Sequence, residues 1–468
     1  MFEQPRRIHF IGIGGTAMAG AAVMAREAGF AVGGSDQNLY PPTSDELRRA
    51  QIPFIEGYAE ANLSPEPDLI VLGNAISRGN IELETALNRR MNIISLPQFI
   101  ADFVIRRRQS LVIAGTHGKT TTTSLAAYTL RHSGIDAGYM VGGVCESLPA
   151  TAATGTADYF VIEGDEYDTS IFDPRPKFLS YRPTHVLLNN IEFDHADIFA
   201  DLAEVERAFA RLIKIIPTNG LLVTNADNGS CRRLAETARS RVVSFGESEN
   251  ADYRLSSCAV GKRMTVKYRA AGKDYAVETP LLGKHNALNI VALSALLTGC
   301  GIEQQQFAAA MASFVGVRRR LQVRLDGGGI TVIEDFAHHP TAIKANLETL
   351  RLIYPGRRLV VLIEPRSNTM VRNFFQQALA EALAAADLVM TDKIYREEKY
   401  APAERLNLTQ LKSDLESKGK QVFMLPEAGR AAFVTAQLKS SDVVCFMTNG
   451  SFGGLIGETV SHLSSHTR

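Results

Sequence analysis

Ala114-Gly115-Thr116-His117-Gly118-Lys119-Thr120-Thr121-Thr122 follows an apolar run at 111–114 and precedes a Leu/Ala/Tyr-patterned stretch at 124–131. The run reads as a buried strand and the stretch as a helix. Strand, glycine-bearing turn and a helix opening on Gly-Lys-Thr make a phosphate loop, because backbone N–H groups and a helix N-terminus attract phosphate oxygens. Lys119 adds a point charge for the outer phosphates of a nucleotide, and Thr120 offers a hydroxyl to Mg²⁺. The longer phosphate-loop consensus would put its first glycine at Ile113, and Gly115 sits closer in.

Around this loop the chain divides into units of alternating strands and helices. Its 468 residues are too many for one core and suggest about three domains. Apolar residues make up 45% and charged residues 21%, as in globular proteins without membrane spans. Fifty basic and fifty acidic residues cancel, which gives no reason to expect nucleic acid or an anionic membrane as partner. Cys145, Cys231, Cys258, Cys300 and Cys445 are scattered and form no C-x-x-C pair, so they read as reduced thiols of a cytoplasmic protein. The polar start at 1–7 offers no signal peptide, and no apolar run is long enough to span a bilayer. A monomer or weak homo-oligomer is expected.

The first unit is expected over 1–108. It has strands at 8–13, 31–34, 69–72 and 92–95 and helices at 18–26, 44–50 and 82–89, the pattern of a parallel sheet with helices on its faces. Gly12-x-Gly14-x-x-Ala17 after its first strand resembles a dinucleotide fingerprint, with Asp36 as a ribose-binding acid. The same turn can hold the pyrophosphate of a UDP-sugar, or nothing. Arg106-Arg107-Arg108 closes the unit as a solvated linker or an anion contact.

The second unit, 109–317, carries the phosphate loop, strands at 159–162 and 185–188, a helix at 202–213, and three short strands at 255–260, 264–269 and 275–278 that suggest an antiparallel appendage. A helix at 287–297 follows Gly283-Lys284-His285-Asn286. Glu163-Gly164-Asp165-Glu166 puts acids at the carboxyl end of a strand, where ligands of open α/β sheets bind. Glu163 is a candidate Mg²⁺ ligand, while capping of the next segment is expected of at least one of Asp165 and Glu166. His195, in Glu192-Phe193-Asp194-His195-Ala196-Asp197 beyond the next strand, is placed to position a second metal ion.

The third unit, 318–468, repeats the doubly wound pattern with strands at 330–334, 358–363, 388–390, 421–424 and 443–447. Helices are expected at 340–351, 372–385, 408–417 and 429–438. Arg320 can clamp a transferring phosphoryl group across a domain interface, and Asp335 can hold a ribose or order its loop. Arg318 and Arg319 read as solvated, and His338 and His339 as caps of a Pro-started helix.

Together these motifs resemble the Mur ligase family, ATP-dependent amide-forming enzymes of peptidoglycan assembly. The resemblance rests on Gly-Thr-His-Gly-Lys-Thr-Thr at 115–121, Glu163, His195, Gly-Lys-His-Asn-x-x-Asn at 283–289, Arg320 and Asp335, and covers the whole chain. It implies three α/β domains: a Rossmann-like first, an ATPase-type second and a Rossmann-like third. It implies ATP held by Gly115, Thr116, His117, Gly118, Lys119, Thr120, Thr121, Asn286, Asn289, Arg320 and Asp335. Mg²⁺ would be held by Thr120, Glu163 and His195, and Lys119, His195 and Arg320 would be catalytic. Gly12, Gly14, Gly15, Thr16, Ser35 and Asp36 look like the branch that takes UDP-N-acetylmuramate. Within that branch one member adds L-alanine and another attaches a recovered tripeptide, L-Ala-γ-D-Glu-meso-diaminopimelate. The runs at 163–169, 190–199, 364–370 and 449–454 resemble the tripeptide ligase. Arg366, Lys393, Arg396, Glu398 and Lys399 are the candidates for the peptide's charges. No lysine lies between His195 and Lys214, so the carbamoylated lysine of other branches is not expected. A nicotinamide-dependent dehydrogenase built on the Gly12 turn is the reading from a different class.

Overall fold

The computed structural model describes residues 6–465 apart from 38 and 42. Residues 1–5 of the polar N-terminal stretch and 466–468 of the expected third unit lie outside the described residues. Three large sheets carry the fold. The first has five parallel strands in the order Phe54–Glu56, Ala31–Asp36, Arg7–Ile11, Leu69–Leu72, Ile93–Ser95. Its order reverses beside Arg7–Ile11, so the Gly12 turn and the loop after Leu72 open into the same crevice.

The central sheet has ten strands, with Gln109–Ala114 between Pro183–Leu188 and Tyr159–Gly164. Near-continuous Leu/Val/Ile runs form these strands because helices cover both faces. The expected antiparallel appendage is present as Tyr253–Val260, Met264–Ala270 and Lys273–Thr279, whose exposed face alternates with a buried one. The helix after the phosphate loop, Lys119–His132, is rich in β-branched and hydroxyl residues that favour helix weakly. Thr123, Ser124 and Thr129 return their hydroxyls to carbonyls four residues back, at 2.7–2.8 Å, and the helix stands by burial rather than propensity.

The third sheet has six strands in the order Gln322–Gly327, Ile330–Asp335, Val443–Met447, Leu359–Ile363, Leu388–Thr391, Gln421–Met424, with only the first antiparallel. The sequence reading did not include that edge strand or the terminal helix Leu455–Ser465. The helix expected at 372–385 is split into a 3₁₀ turn, Asn373–Phe375, and Gln376–Leu383. In the basic triplet, Arg106 and Arg107 are exposed, but Arg108 folds back onto the carbonyls of Thr154 and Gly155.

One apolar cluster runs without interruption from Phe10 and Phe99 of the first unit through Ile162 to Phe209, so the first two units share a core. The third unit packs two cores of its own, around Val361 and around Phe446. Side-chain bonds such as Thr369 to Asp194 and Asn368 to Asp197 tie it to the central unit.

Candidate active site

Strand register builds the site. Ala114 pairs with Gly164 on one side and Leu188 on the other, so the polar turns after these three strands emerge side by side. They line a cleft of 2220 Å³ together with the Gly12 turn, the start of Lys284–Gly299 and the 318–322 and 335–339 segments of the third unit.

The phosphate loop is pinned from beneath. Thr116 N donates to the Asn190 carbonyl at 3.0 Å and His117 N to Asn190 Oδ1 at 2.8 Å. Gly115 and Gly118 adopt φ of 126° and 83°. A Cβ on Gly118 would lie 2.9 Å from both Asn189 Nδ2 and Asn289 Oδ1, so only glycine fits. Asn286 and Asn289 stand at the start of the helix Lys284–Gly299, which abuts the loop here; Asn286 Nδ2 donates to the Leu282 carbonyl at 2.8 Å.

Lys119 Nζ donates to the carbonyls of Gly115 at 2.7 Å and Thr116 at 3.3 Å, and to Glu166 Oε1 and Oε2 at 3.0 and 2.9 Å. Glu166 is 2% exposed and also meets His195 Nε2 at 2.9 Å. Burial opposes charge on Lys119 and His195, but Glu166 outweighs it and both are held above their usual values. Of the two acids expected to cap, Asp165 does: it accepts from Tyr167 N at 3.1 Å and pairs with Lys177 at 2.6 Å. Glu166 instead bridges the phosphate-loop lysine and the loop histidine, a role the sequence reading did not give it; nothing in the acidic run distinguishes the two.

Glu163 accepts from Gly142 N at 2.6 Å and from the Thr120 hydroxyl at 3.3 Å. Burial lifts its carboxyl, and Lys119 and Arg320 partly offset that. This carboxylate and hydroxyl, adjacent on the cleft wall, are hard oxygen donors of the kind Mg²⁺ takes. His195 has φ of 56° and its N–H donates to Asp194 Oδ1 at 2.7 Å, with the Tyr167 ring 4.3 Å away.

From the third unit Arg320 reaches Thr120 Oγ1 at 3.3 Å, its guanidinium 5.0 Å over the Phe336 ring. Asp335, 3% exposed, accepts from Leu321 N, Ala337 N and Asn346 Nδ2, each at 2.7 Å. It orders the Arg320 loop; burial raises its carboxyl despite the arginine. Arg318 is exposed as expected, though it pairs with Glu146 at 3.2 Å, and Arg319 pairs with Glu334 at 2.9 Å. His339 caps the helix Pro340–Ile353.

Gly12, Gly14, Gly15 and Thr16 line the cleft, and the helix Thr16–Glu27 begins without a side-chain cap, so its first N–H groups face it. Asp36 accepts from Gly14 N at 2.8 Å and Gln37 N at 2.7 Å and thus grips the turn. Ser35 departs from expectation: it is wholly buried, and its hydroxyl donates to Glu82 at 2.5 Å instead of facing the cleft. Strand alternation turns it inward.

Of the peptide candidates, Arg366 lies 3.9 Å over the Tyr395 ring and Arg396 lies 5.0 Å from it; both border cleft space. Lys393, Glu398 and Lys399 do not. All three are exposed, Glu398 and Lys399 within the 3₁₀ turn Glu397–Lys399 and Lys393 ahead of it, 3.7 Å from Glu427.

Comparison with known proteins agrees with this arrangement. Three family models match in order: "Mur ligase family, catalytic domain" over 7–108, "Mur ligase middle domain" over 113–297 and "Mur ligase, glutamate ligase domain" over 319–450. The chain is 40% identical, over 82% of its length and 84% of the relative's, to UDP-N-acetylmuramate–L-alanyl-γ-D-glutamyl-meso-2,6-diaminoheptandioate ligase of Escherichia coli K12. It is 32% identical to a UDP-N-acetylmuramate–L-alanine ligase of Anaeromyxobacter dehalogenans, over 95% of both chains. The crystal structure of a murein peptide ligase from Psychrobacter arcticus superposes with a TM-score of 0.73 at 32% identity, covering 98% of both chains.

Proposed function

This chain belongs to the Mur ligase family, and from that premise we propose that its cleft brings together ATP, UDP-N-acetylmuramate and a peptide amine. The protein is an ATP-dependent ligase that joins UDP-N-acetylmuramate to L-alanyl-γ-D-glutamyl-meso-diaminopimelate in peptidoglycan recycling. The observation that carries the site assignment is the Lys119–Glu166–His195 chain beside Thr120 and Glu163, with Arg320 arriving from the third unit. The dehydrogenase reading of the Gly12 turn drops out, since that turn shares its cleft with a phosphate loop.

A lactoyl carboxylate oxygen of the UDP-sugar attacks the γ-phosphorus of ATP, ADP leaves, and an acyl phosphate forms. The α-amine of the peptide then attacks the acyl carbon, phosphate leaves, and the amine gives up a proton. Lys119 and Arg320 neutralise charge that develops on the moving phosphoryl group. Thr120 and Glu163 are the oxygen donors that would hold Mg²⁺, which when bound supplies Lewis-acid charge stabilisation; His195 would join them only with its ring neutral and released from Glu166. The N–H groups after Gly15 hold the pyrophosphate of the UDP-sugar. The third unit, seated over the loop, excludes water from the acyl phosphate. Arg366 and Arg396, on either approach to Tyr395, answer the tripeptide's carboxylates, which L-alanine lacks beyond its own.

We place the boundaries of the three units at 108/109 and 317/318, and take the chain to act in the cytoplasm, where ATP and nucleotide sugars are found, as a monomer or weak homo-oligomer. Among the described residues no helix is long and apolar enough to cross a membrane. The test supplies ATP, Mg²⁺ and UDP-N-acetylmuramate with either tripeptide or L-alanine and measures ADP. Release that depends on the tripeptide is expected. Release with L-alanine and none with tripeptide would replace this reading by L-alanine addition.

A further inference from the structure

His117 contributes its backbone to the phosphate loop, but its ring meets groups from elsewhere in the fold. Its Nε2 lies 3.2 Å from Glu192 Oε2, and His339 Nδ1 lies 3.6 Å from the same oxygen. The two imidazole centroids are 4.6 Å apart, and one donor atom from each of the three side chains falls within 4.8 Å of the others. His339 Nε2 lies 3.3 Å from the Phe193 carbonyl and can only donate to it, so Nδ1 is the ring's one acceptor; its lone pair meets the Thr341 N–H at 3.3 Å, a weak cap bond that a cation would displace. Thr341 supports the cluster, its hydroxyl donating to Glu192 Oε2 at 2.7 Å. All four residues line the cleft, so an ion can enter from solvent.

We propose that His117, Glu192 and His339 form a binding site for a first-row transition divalent cation such as Zn²⁺ or Co²⁺, separate from the Thr120, Glu163 and His195 set. Two imidazoles and one carboxylate suit a borderline cation, with water in a fourth position, whereas Mg²⁺ favours sets dominated by oxygen. The site also straddles the boundary between the central and third units. His117 and Glu192 come from the central unit, and His339 begins the first helix of the third. The donor set is complete only when the third unit is seated, so an ion bound there favours the seated arrangement by its differential affinity. The cation is thus a staple between the phosphate loop and the third unit, and the inference does not depend on which amine the enzyme uses.

Metal-stripped full-length protein in excess Mg²⁺ is titrated with Co²⁺, read by visible absorption and calorimetry. One Co²⁺ per chain is expected, displaced by Zn²⁺ and not by further Mg²⁺. Glu192→Gln and His339→Ala should each weaken it by at least about a hundredfold, since loss even of groups that orient a ligand costs roughly 10–100-fold. His195→Ala should leave it intact. Should His339→Ala unfold, Glu192→Gln preserves the shape and carries the test. Absence of Co²⁺ uptake, uptake indifferent to the Glu192 and His339 variants, or uptake lost with His195→Ala would each overturn the site.

Discussion

Glu166→Gln tests the arrangement most directly. The substitution keeps shape and removes the negative charge that Lys119 and His195 share. Lys119 loses its charged contacts at 3.0 and 2.9 Å but retains the Gly115 and Thr116 carbonyls. Breaking a buried ion pair costs roughly 3–5 kcal/mol, and the surviving carbonyls put this case at the low end, about 3 kcal/mol. At about 2–4 °C per kcal/mol for a domain of roughly 150–250 residues, and less for a larger one, the joint transition of the first and central units should fall by up to about 6–12 °C. Calorimetry of the ligand-free protein measures this. In a Lys119→Met background the same change should cost much less, because the partner it strands is gone. NMR should show the His195 imidazole titrating lower than in the parent, since Glu166 is what raises it against burial. An unchanged melting midpoint, or equal penalties in the two backgrounds, would refute the bridging role of Glu166.

Lys119→Ala should lower turnover at least about a hundredfold, the scale lost with one preorganised charge-stabilising group; near-normal ADP release with all substrates present would contradict it. Arg366→Ala should raise the KM for tripeptide more than that for UDP-N-acetylmuramate, and equal effects in steady-state kinetics would count against its place at the peptide. His285 titrates at about 4 because of burial first and the Arg320 charge second. The unfolded chain takes up this proton near 6.5 and the folded one only near 4, so the neutral ring's contribution is whole above pH 6.5 and is lost as pH falls toward 4. That gap is worth at most about 3.5 kcal/mol at roughly 1.4 kcal/mol per pH unit, and His285→Gln should remove it. Denaturant melts at neutral and acid pH that show the same acid loss in parent and variant would exclude it.

The chain order of residues was enough for the elements and the loop chemistry. The phosphate loop was legible because its glycines, lysine and threonine act through backbone geometry and a helix start that are local in sequence. Alternation with period 2 likewise disclosed the appendage strands, and the apolar runs disclosed the buried ones. Asp36 shows the limit of such reading. It sits on the cleft where a ribose acid would, and only the structure shows that its oxygens also accept from the Gly14 and Gln37 N–H groups and so order the turn. Lys393, Glu398 and Lys399 share a charged run with Arg396, and only the fold shows that Arg396 borders the cleft while the other three are exposed away from it.

Sequence by itself determined three doubly wound units, a nucleotide loop and the family whose chemistry that loop serves. Tertiary structure alone decided that Glu166 rather than Asp165 holds Lys119, that Ser35 is buried beneath its turn, and that His117, Glu192 and His339 meet across two units. The reason is the range of the interactions. Helix starts and glycine turns are fixed by neighbours a few residues away, whereas a side chain 47 residues from its partner finds it only through the strand register that aligns their ends.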